Sequence, residues 1–561
     1  MQKTVFNNVI HNHRYFLCFL ALAIVYFFNM LIDVMDVDAA QYAAITSEMV
    51  RKASYLEVFH RGTDYLDKPP LLFWLSAVSF HLFGISNFTY KLPSVLCLIL
   101  GIYSTYRFGL QWYDKRRAII AALILGSTMG YFLMTNDVRA DGMLTGFLMF
   151  SVWQLSLFLQ KGKFANLLAG SIGVAAAMMT KGPLGLVIVG FALGSDLLLK
   201  RDWKNIFNKQ WVFFLLIIAV CLLPMCYGLY QQFDLHPEKI TYGLKGPSGI
   251  KFFFWTQSFG RITGDIYWKD DSTFLFFFHT ILWVFLPWIL FLVPALFVRI
   301  KKLWELKFKV PQTMEFMTFF GFLLSFLALS TSRYKLPHYI FPLFPFIAII
   351  TADYICHLTS MAVKRYYDYL KNAQYVVLLL LFSLISLIFI YFFPPQSYWL
   401  PIVIALLFVL VIILIKNLTD KSDKIIIPTV LASVAVGLVM GLNFYPSILQ
   451  YQSDSVLGKE IYKNQVPNDR LKYYREHSNS LDFYAHRNVF NVDSTIMNDY
   501  KRGMLVHTDQ KGKDYIIKEQ KMDYKVIRIY EDFPVTRLNI NFLKKTTRQS
   551  QVQRTYLLEK I

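Results

Sequence analysis

Thirteen apolar stretches run through the first 443 residues of this chain. They lie near 15–32, 92–111, 118–134, 142–160, 165–180, 183–199, 211–230, 274–298, 314–331, 337–355, 375–393, 398–415 and 425–443. About 20 apolar residues in a helix cross roughly 30 Å of hydrocarbon. The pattern therefore predicts an α-helical polytopic membrane protein of about thirteen spans. Composition agrees. Charged residues make up 17% and hydrophobic residues 55% of the 561. A soluble domain carries about a quarter charged residues, and a disordered chain needs low hydrophobicity, so both classes are excluded. The 34 Tyr, 51 Phe and 11 Trp suit membrane interiors and interface belts. The first stretch follows Lys3 and Arg14, lacks a small-x-small cleavage site and reads as an uncleaved anchor. The five cysteines show neither a disulfide framework nor a zinc spacing.

A further apolar run, 69–84, has 16 residues. If it spans, the basic loops 114–117, 161–163, 200–209, 299–309, 363–371 and 416–424 all move outside. Cytoplasmic loops are the ones enriched in Lys and Arg, so 69–84 is placed along the membrane surface. The net charge of +20 is then mostly cytoplasmic-loop charge, and no nucleic-acid partner is called for. The N-terminus faces the cytoplasm of a plasma (inner) membrane. The loops 33–91, 135–141, 181–183, 231–273 and 332–338 converge on the extracytoplasmic face. The tail 445–561 joins them. With 20 Lys/Arg and 14 Asp/Glu it reads as water-soluble. Strand-length patterns at LDFYAHRNVFNV, YKVIRIYE and TRLNINFL predict a small α/β domain. The division is thus 1–444 for the membrane domain and 445–561 for the soluble one.

Ionisable groups at a membrane edge are functional candidates. Asp38 follows the first span, and with Gln41 it has the spacing of a helix-capping box. It reads equally as a cap and as a general base. Lys68 precedes Pro69-Pro70 and either snorkels to water or meets a lipid phosphate. Asp137, Arg139 and Asp141 crowd one short connection. They read as an ordering ion pair or as a site, and four-residue spacing would put the two acids on one helical face. Lys181-Gly182-Pro183 reads chiefly as a turn. Arg261 in the aromatic, basic loop 231–273 is the choice for a phosphate clamp. The short connection 332–338 adds Lys335, with His338 and Tyr339 behind it.

Several of these segments resemble the GT-C membrane glycosyltransferases. The nearest likeness is to the bacterial aminoarabinose (lipid A) transferases and the related polyprenyl-phosphate-mannose protein mannosyltransferases. The matching pieces are DAAQYAAITSEM, DKPPLLFW, RADGMLTGF, TKGPLG, FWTQSFGRI with a distant LPW, and KLPHYIFPLFP, in order along 15–345. The resemblance implies transfer of a sugar from a polyprenyl-phosphate carrier to a lipid or protein acceptor at the extracytoplasmic face. It implies catalytic roles for Asp38 and Asp141. Lys68 and Arg261 would hold the carrier phosphate and Tyr339 would line the site, with Lys335, Asp137 and Arg139 as further binding residues. No cofactor is required beyond the donor, and a divalent cation is left open. Two positions depart from the pattern. Ala39 stands where many relatives have Glu, and Thr256–Gly260 replaces a Glu-His-Asn stretch.

The chemistry accounts for these residue types. Glycosyl transfer passes through an oxocarbenium-like state. A phosphate leaving group needs fixed cations on its developing charge, and Lys68 and Arg261 would supply them. A hydroxyl acceptor needs a base on the opposite sugar face, the role of Asp38, which predicts inversion. The rival reading is a flippase or transporter of lipid-linked sugars. Transporters often show inverted repeats and mid-membrane broken helices; no repeat is visible here, and the charges gather at one face.

Overall fold

The computed structural model describes residues 2–257, 260, 272–360, 364–475 and 478–561. Nine helices open the chain: α1 (Gln2–Leu31), α2 (Asp38–Lys52), α3 (Leu71–Phe83), α4 (Asn87–Trp112), α5 (Lys115–Gly126), α6 (Met129–Asn136), α7 (Ala140–Lys161), α8 (Phe164–Lys181) and α9 (Leu184–Lys200). Among the described residues, nine helices are long and apolar enough to cross a membrane, or ten if α5 and α6 form one bent span. All thirteen apolar stretches contain helix, but four fall short of that length for local reasons. At 118–134, Thr128 caps α6 and bends it 54° from α5. At 274–298, Pro287 lies in the break between Phe276–Val284 and Ile289–Glu305. The segment 183–199 forms α9, of 17 residues, and 314–331 forms Met317–Ser330, of 14.

The apolar run 69–84 becomes α3, with 13 residues, well short of the roughly 20 a span needs. One side packs on α2 and α4, while Val78, Leu82 and Phe83 stay exposed. The backbones of α4 and α7 approach closely. A Cβ on Gly146 would sit 2.0 Å from the carbonyl oxygen of Cys97, so only glycine allows this approach.

The C-terminal segment builds a four-stranded mixed sheet in the spatial order Leu471–Tyr474, Leu505–Asp509, Gln553–Lys560, Tyr524–Asp532. The first two strands are parallel and the others antiparallel. Of the expected strands, YKVIRIYE is one. LDFY is instead helix Asn479–Tyr484, started by the Ser478 side chain accepting from the Ser480 amide. In TRLNINFL, Asn539 caps the short helix Ile540–Leu543 in the same manner. Side-chain capping won there over strand propensity.

The exit from α1 is held from two sides. Lys91, fully buried on α4, donates to the carbonyls of Asn29 (3.1 Å) and Ile32 (2.8 Å) and to Asn136 Oδ1 (3.3 Å). An ammonium on the last carbonyls of a helix satisfies orphan acceptors and suits the macrodipole. The C-terminal domain holds the other side. Gln452 accepts from the Asp36 amide (2.9 Å) and donates to the Val34 carbonyl (3.0 Å). Tyr484 Oη accepts from the Val34 amide (2.7 Å) and donates to Asn87 (2.8 Å). Asp36 accepts from the hydroxyls of Ser478 and Ser480, and Arg61 pairs with Asp482 at 2.5 Å.

Candidate active site

Where α2, the loop before α3, α7, α8 and the turn before residue 344 meet lies a small polar cavity of about 30 Å³. Its walls include Asp38, Tyr42, Lys68, Arg139, Asp141, Lys181, His338 and Tyr339. Five separate segments supply them. Asp38 opens α2 and Asp141 sits in the first turn of α7. A carboxylate at a helix N-terminus faces its free amides and positive dipole end. Lys181 ends α8, where the dipole favours a cation, and Gly182 at φ +78° turns the chain into Pro183. Pro337 opens the 3₁₀ segment Pro337–Leu343 that presents His338 and Tyr339.

The charges interlock in two groups. Arg139 bridges Asp38 and, at 2.9 Å, Asp137. Lys181 pairs with Asp141, and its Nζ stands 3.8 Å from the centre of the Tyr339 ring. His338 Nε2 lies 3.7 Å from the other oxygen of Asp141. Lys68 pairs with its neighbour Asp67 at 2.6 Å. The two acids differ in access. The Asp38 side chain is 36% exposed and that of Asp141 only 3%. Asp38 can reach a ligand, while Asp141 is committed to holding Lys181. Burial raises the Tyr42 hydroxyl well above its ordinary range, with Asp38 adding to the effect, so it stays a proton donor. Burial also raises the Asp137 carboxyl, against the pull of Arg139.

Two sequence expectations are corrected. Asp38 is not a capping residue. It lies inside α2, no side chain caps that helix, and its carboxylate goes to Arg139. Asp137 and Asp141 do not share a helical face. α6 ends before Asp137 and α7 begins at Ala140, so the acids turn to different cations. The cavity gathers Asp38, Lys68, Arg139, Asp141 and Tyr339. Asp137 stands behind Arg139, and Lys335 is buried and donates to the Ser272 carbonyl at 3.0 Å. Arg261 lies outside the described residues. Tyr42, Lys181 and His338 also line the cavity, beyond the candidate site residues that the sequence offers. Lys181 and His338 do sit inside the quoted TKGPLG and KLPHYIFPLFP segments. Among the described residues no three His, Cys, Asp or Glu side chains converge to hold a metal ion.

Comparison with known proteins places this geometry. The dolichyl-phosphate-mannose-protein mannosyltransferase family profile matches residues 67–227, which carry Lys68, Arg139, Asp141 and Lys181. An uncharacterized protein of Aquifex aeolicus is 24% identical over 86% of this chain and 88% of its own length. The undecaprenyl phosphate-alpha-4-amino-4-deoxy-L-arabinose arabinosyl transferase 2 of Proteus mirabilis is 24% identical over 66% of this chain. That match spans 65% of the transferase, a little less than two thirds of its length. The crystal structure of ArnT from Cupriavidus metallidurans in the apo state superposes with a TM-score of 0.73 at 15% identity, covering 98% of both chains. ArnT bound to undecaprenyl phosphate gives 0.71 at 16% identity, over 97% of both. The chain thus has the helical membrane fold seen in ArnT, and it resembles the GT-C aminoarabinose transferases and protein mannosyltransferases.

Proposed function

We propose that this protein is an integral membrane glycosyltransferase that moves a sugar from a polyprenyl-phosphate carrier to a lipid or protein acceptor at the extracytoplasmic face. One observation carries the reading. Asp38, Lys68, Asp141 and Tyr339 come from four distant segments and line one cavity. The names of the Proteus mirabilis transferase and of the lipid-bound ArnT structure support a polyprenyl-phosphate donor. The cations Lys68 and Lys181 would hold the carrier phosphate as charge develops on it, with Arg261 as a further clamp. Asp38, the exposed acid, would take the proton of a hydroxyl acceptor, giving inversion. With a phosphate acceptor it would orient instead. Asp141 would hold Lys181 in place, and Arg139 would hold Asp38. α3, with its exposed apolar side, would lie at the membrane surface and guide the lipid tail.

The test uses the purified full chain, radiolabelled polyprenyl-phosphate sugars and a crude membrane extract. Label should pass to a lipid or protein band with the wild type. Asp38→Asn should lower transfer at least about a hundredfold, within the span expected for loss of a general base. Equal transfer by both proteins would remove Asp38 from the mechanism. Flipping of lipid-linked sugar in vesicles without any transfer would favour the transporter reading.

A further inference from the structure

The cavity is filled by its own ion pairs. Lys68 is held by Asp67, Arg139 by Asp38 and Asp137, and Lys181 by Asp141. Its volume of about 30 Å³ has room for about two water molecules, less than a phosphodiester fills. A carrier phosphate therefore has to draw a cation away from a carboxylate. At Asp141 that exchange is costly. Its side chain is buried, and a buried carboxylate that loses its cation is strongly destabilising.

His338 stands where it can take the place of the departing cation. Lys181 pairs with Oδ1 of Asp141, and Nε2 of His338 lies 3.7 Å from Oδ2. That is beyond hydrogen-bond reach, so a small approach separates the two groups from an ion pair. An imidazolium has a donor at each ring nitrogen and could make it. The ring is set edge-on to Tyr339, with centres 5.0 Å apart and planes at 85°. Asp38, Arg139 and Lys68 face His338 across the cavity, and Lys335 precedes it in the chain. Of the elements packed on Pro337–Leu343, Met317–Ser330 carries no titratable side chain, α6 carries Tyr131 and Phe276–Val284 carries the exposed His279. Those of Phe344–Ser360 begin at Asp353. Histidine is the side chain suited to change charge between about pH 5 and 8.

We propose, on the polyprenyl-phosphate reading of this cavity, that His338 is a positioning residue: it takes a proton from solvent as the carrier binds and replaces Lys181 at Asp141, freeing Lys181 for the carrier phosphate. No covalent bond changes. One proton enters with the ligand, one ion pair is exchanged for another, and the buried carboxylate keeps a cation throughout. Lys181 then meets the anion with its ammonium donors. Ligand that binds together with a proton binds more weakly as pH rises through the value at which that proton is lost.

Calorimetry on the purified full chain tests this, with farnesyl methyl phosphate as the probe, a short polyprenyl phosphodiester whose own charge is fixed over this pH range. Two buffers of different ionisation enthalpy count the protons. Near pH 7.5 the wild type should take up close to one proton per ligand, and its affinity should fall at least about tenfold from about pH 6.5 to 8.5. His338→Gln should take up none, bind at least about tenfold more weakly near pH 6.5, and show an affinity level with pH. His338→Lys puts a permanent cation at the same place. It should recover the affinity without taking up a proton, a rescue that a merely structural role would not give. His357→Gln, at an exposed position further along Phe344–Ser360, should match the wild type. In the transfer assay His338→Gln should raise the donor KM at least about tenfold with kcat within about threefold, since the exchange acts on carrier binding. Wild-type binding of the diester without proton uptake overturns the proposal and leaves the carrier reading standing. So does unchanged proton uptake in His338→Gln. No diester binding by the wild type overturns the carrier reading, and the role of His338 with it.

Discussion

At the scale of single residues, charge identity was legible in the sequence and charge partnership was not. Asp38, Lys68, Asp141 and Tyr339 stand out as ionisable or polar groups beside apolar segments. That Asp38 meets Arg139, 101 residues away, depends on how α2 and α7 pack, and no local spacing encodes it. Lys181 is read chiefly as part of a turn for the same reason: a lysine before Gly-Pro shows no other role until Asp141 and Tyr339 are seen around it. Asp36 supplies a prediction at this scale. Its carboxyl is held at about 6, above the ordinary 3.8, mainly by burial, and Asp454, Asp532 and His507 face the same recess. A carboxyl raised in the folded state favours folding while it is protonated. That contribution is complete below about pH 4 and is lost as pH rises through about 6. Asp36→Asn removes the titration and keeps an acceptor for Ser478 and Ser480. It should match the wild type in thermal melts near pH 4. Near pH 7.5 it should be more stable by about 2 kcal/mol. An equal or lower Tm for the variant near pH 7.5 would show that the buried carboxylate is compensated.

At the scale of elements, hydrophobic length located the nine helices that, among the described residues, are long and apolar enough to cross a membrane, because burying apolar side chains and satisfying the backbone both demand helix in that setting. Length did not reveal the breaks. Thr128 and Pro287 act through local capping and ring geometry, which an apolar average smooths away. Strand pattern served less well in the C-terminal domain, where Asn539 and Ser478 turned apolar runs into short helices. Lys91 shows how one element fixes another. From inside α4 it ties the last carbonyls of α1 to Asn136 at the end of α6, and so sets the spacing between the Asp38 and Arg139 segments. Lys91→Met keeps the volume and removes three donors, which should destabilise the fold by about 2–3 kcal/mol. Transfer should fall at least about tenfold even where the protein remains folded, since the loss of position acts on the chemical step. Full activity in the folded variant would mean that the α1 exit is held adequately by the C-terminal domain alone.

At the scale of the whole molecule, the C-terminal domain is a clasp rather than an appendage. It touches the segment between α1 and α3 at Asp33, Val34, Asp36, Arg51 and Arg61, bracketing Asp38 on both sides. The sequence shows a water-soluble tail but no sign of what it grips, because side chains such as Gln452, Tyr484 and Asp482 meet Val34, Asp36 and Arg61 from more than 400 residues away. Gln452 makes the point testable. Its amide serves Val34 and Asp36 at once, and it is buried. Gln452→Leu would leave a backbone carbonyl and a backbone amide without partners, at a cost of about 1–3 kcal/mol for each buried group. The helices of the membrane domain do not depend on this contact, so the protein should still insert and purify. The domain boundary near 445–452 should become more open to limited proteolysis, and transfer should fall in step, because the Asp38 segment loses its outer support. Unchanged proteolysis together with wild-type transfer would show that Tyr484 and the Arg61–Asp482 pair hold the clasp without Gln452. Faster cleavage with undiminished transfer would instead assign the clasp to stability and free the catalytic segment from it.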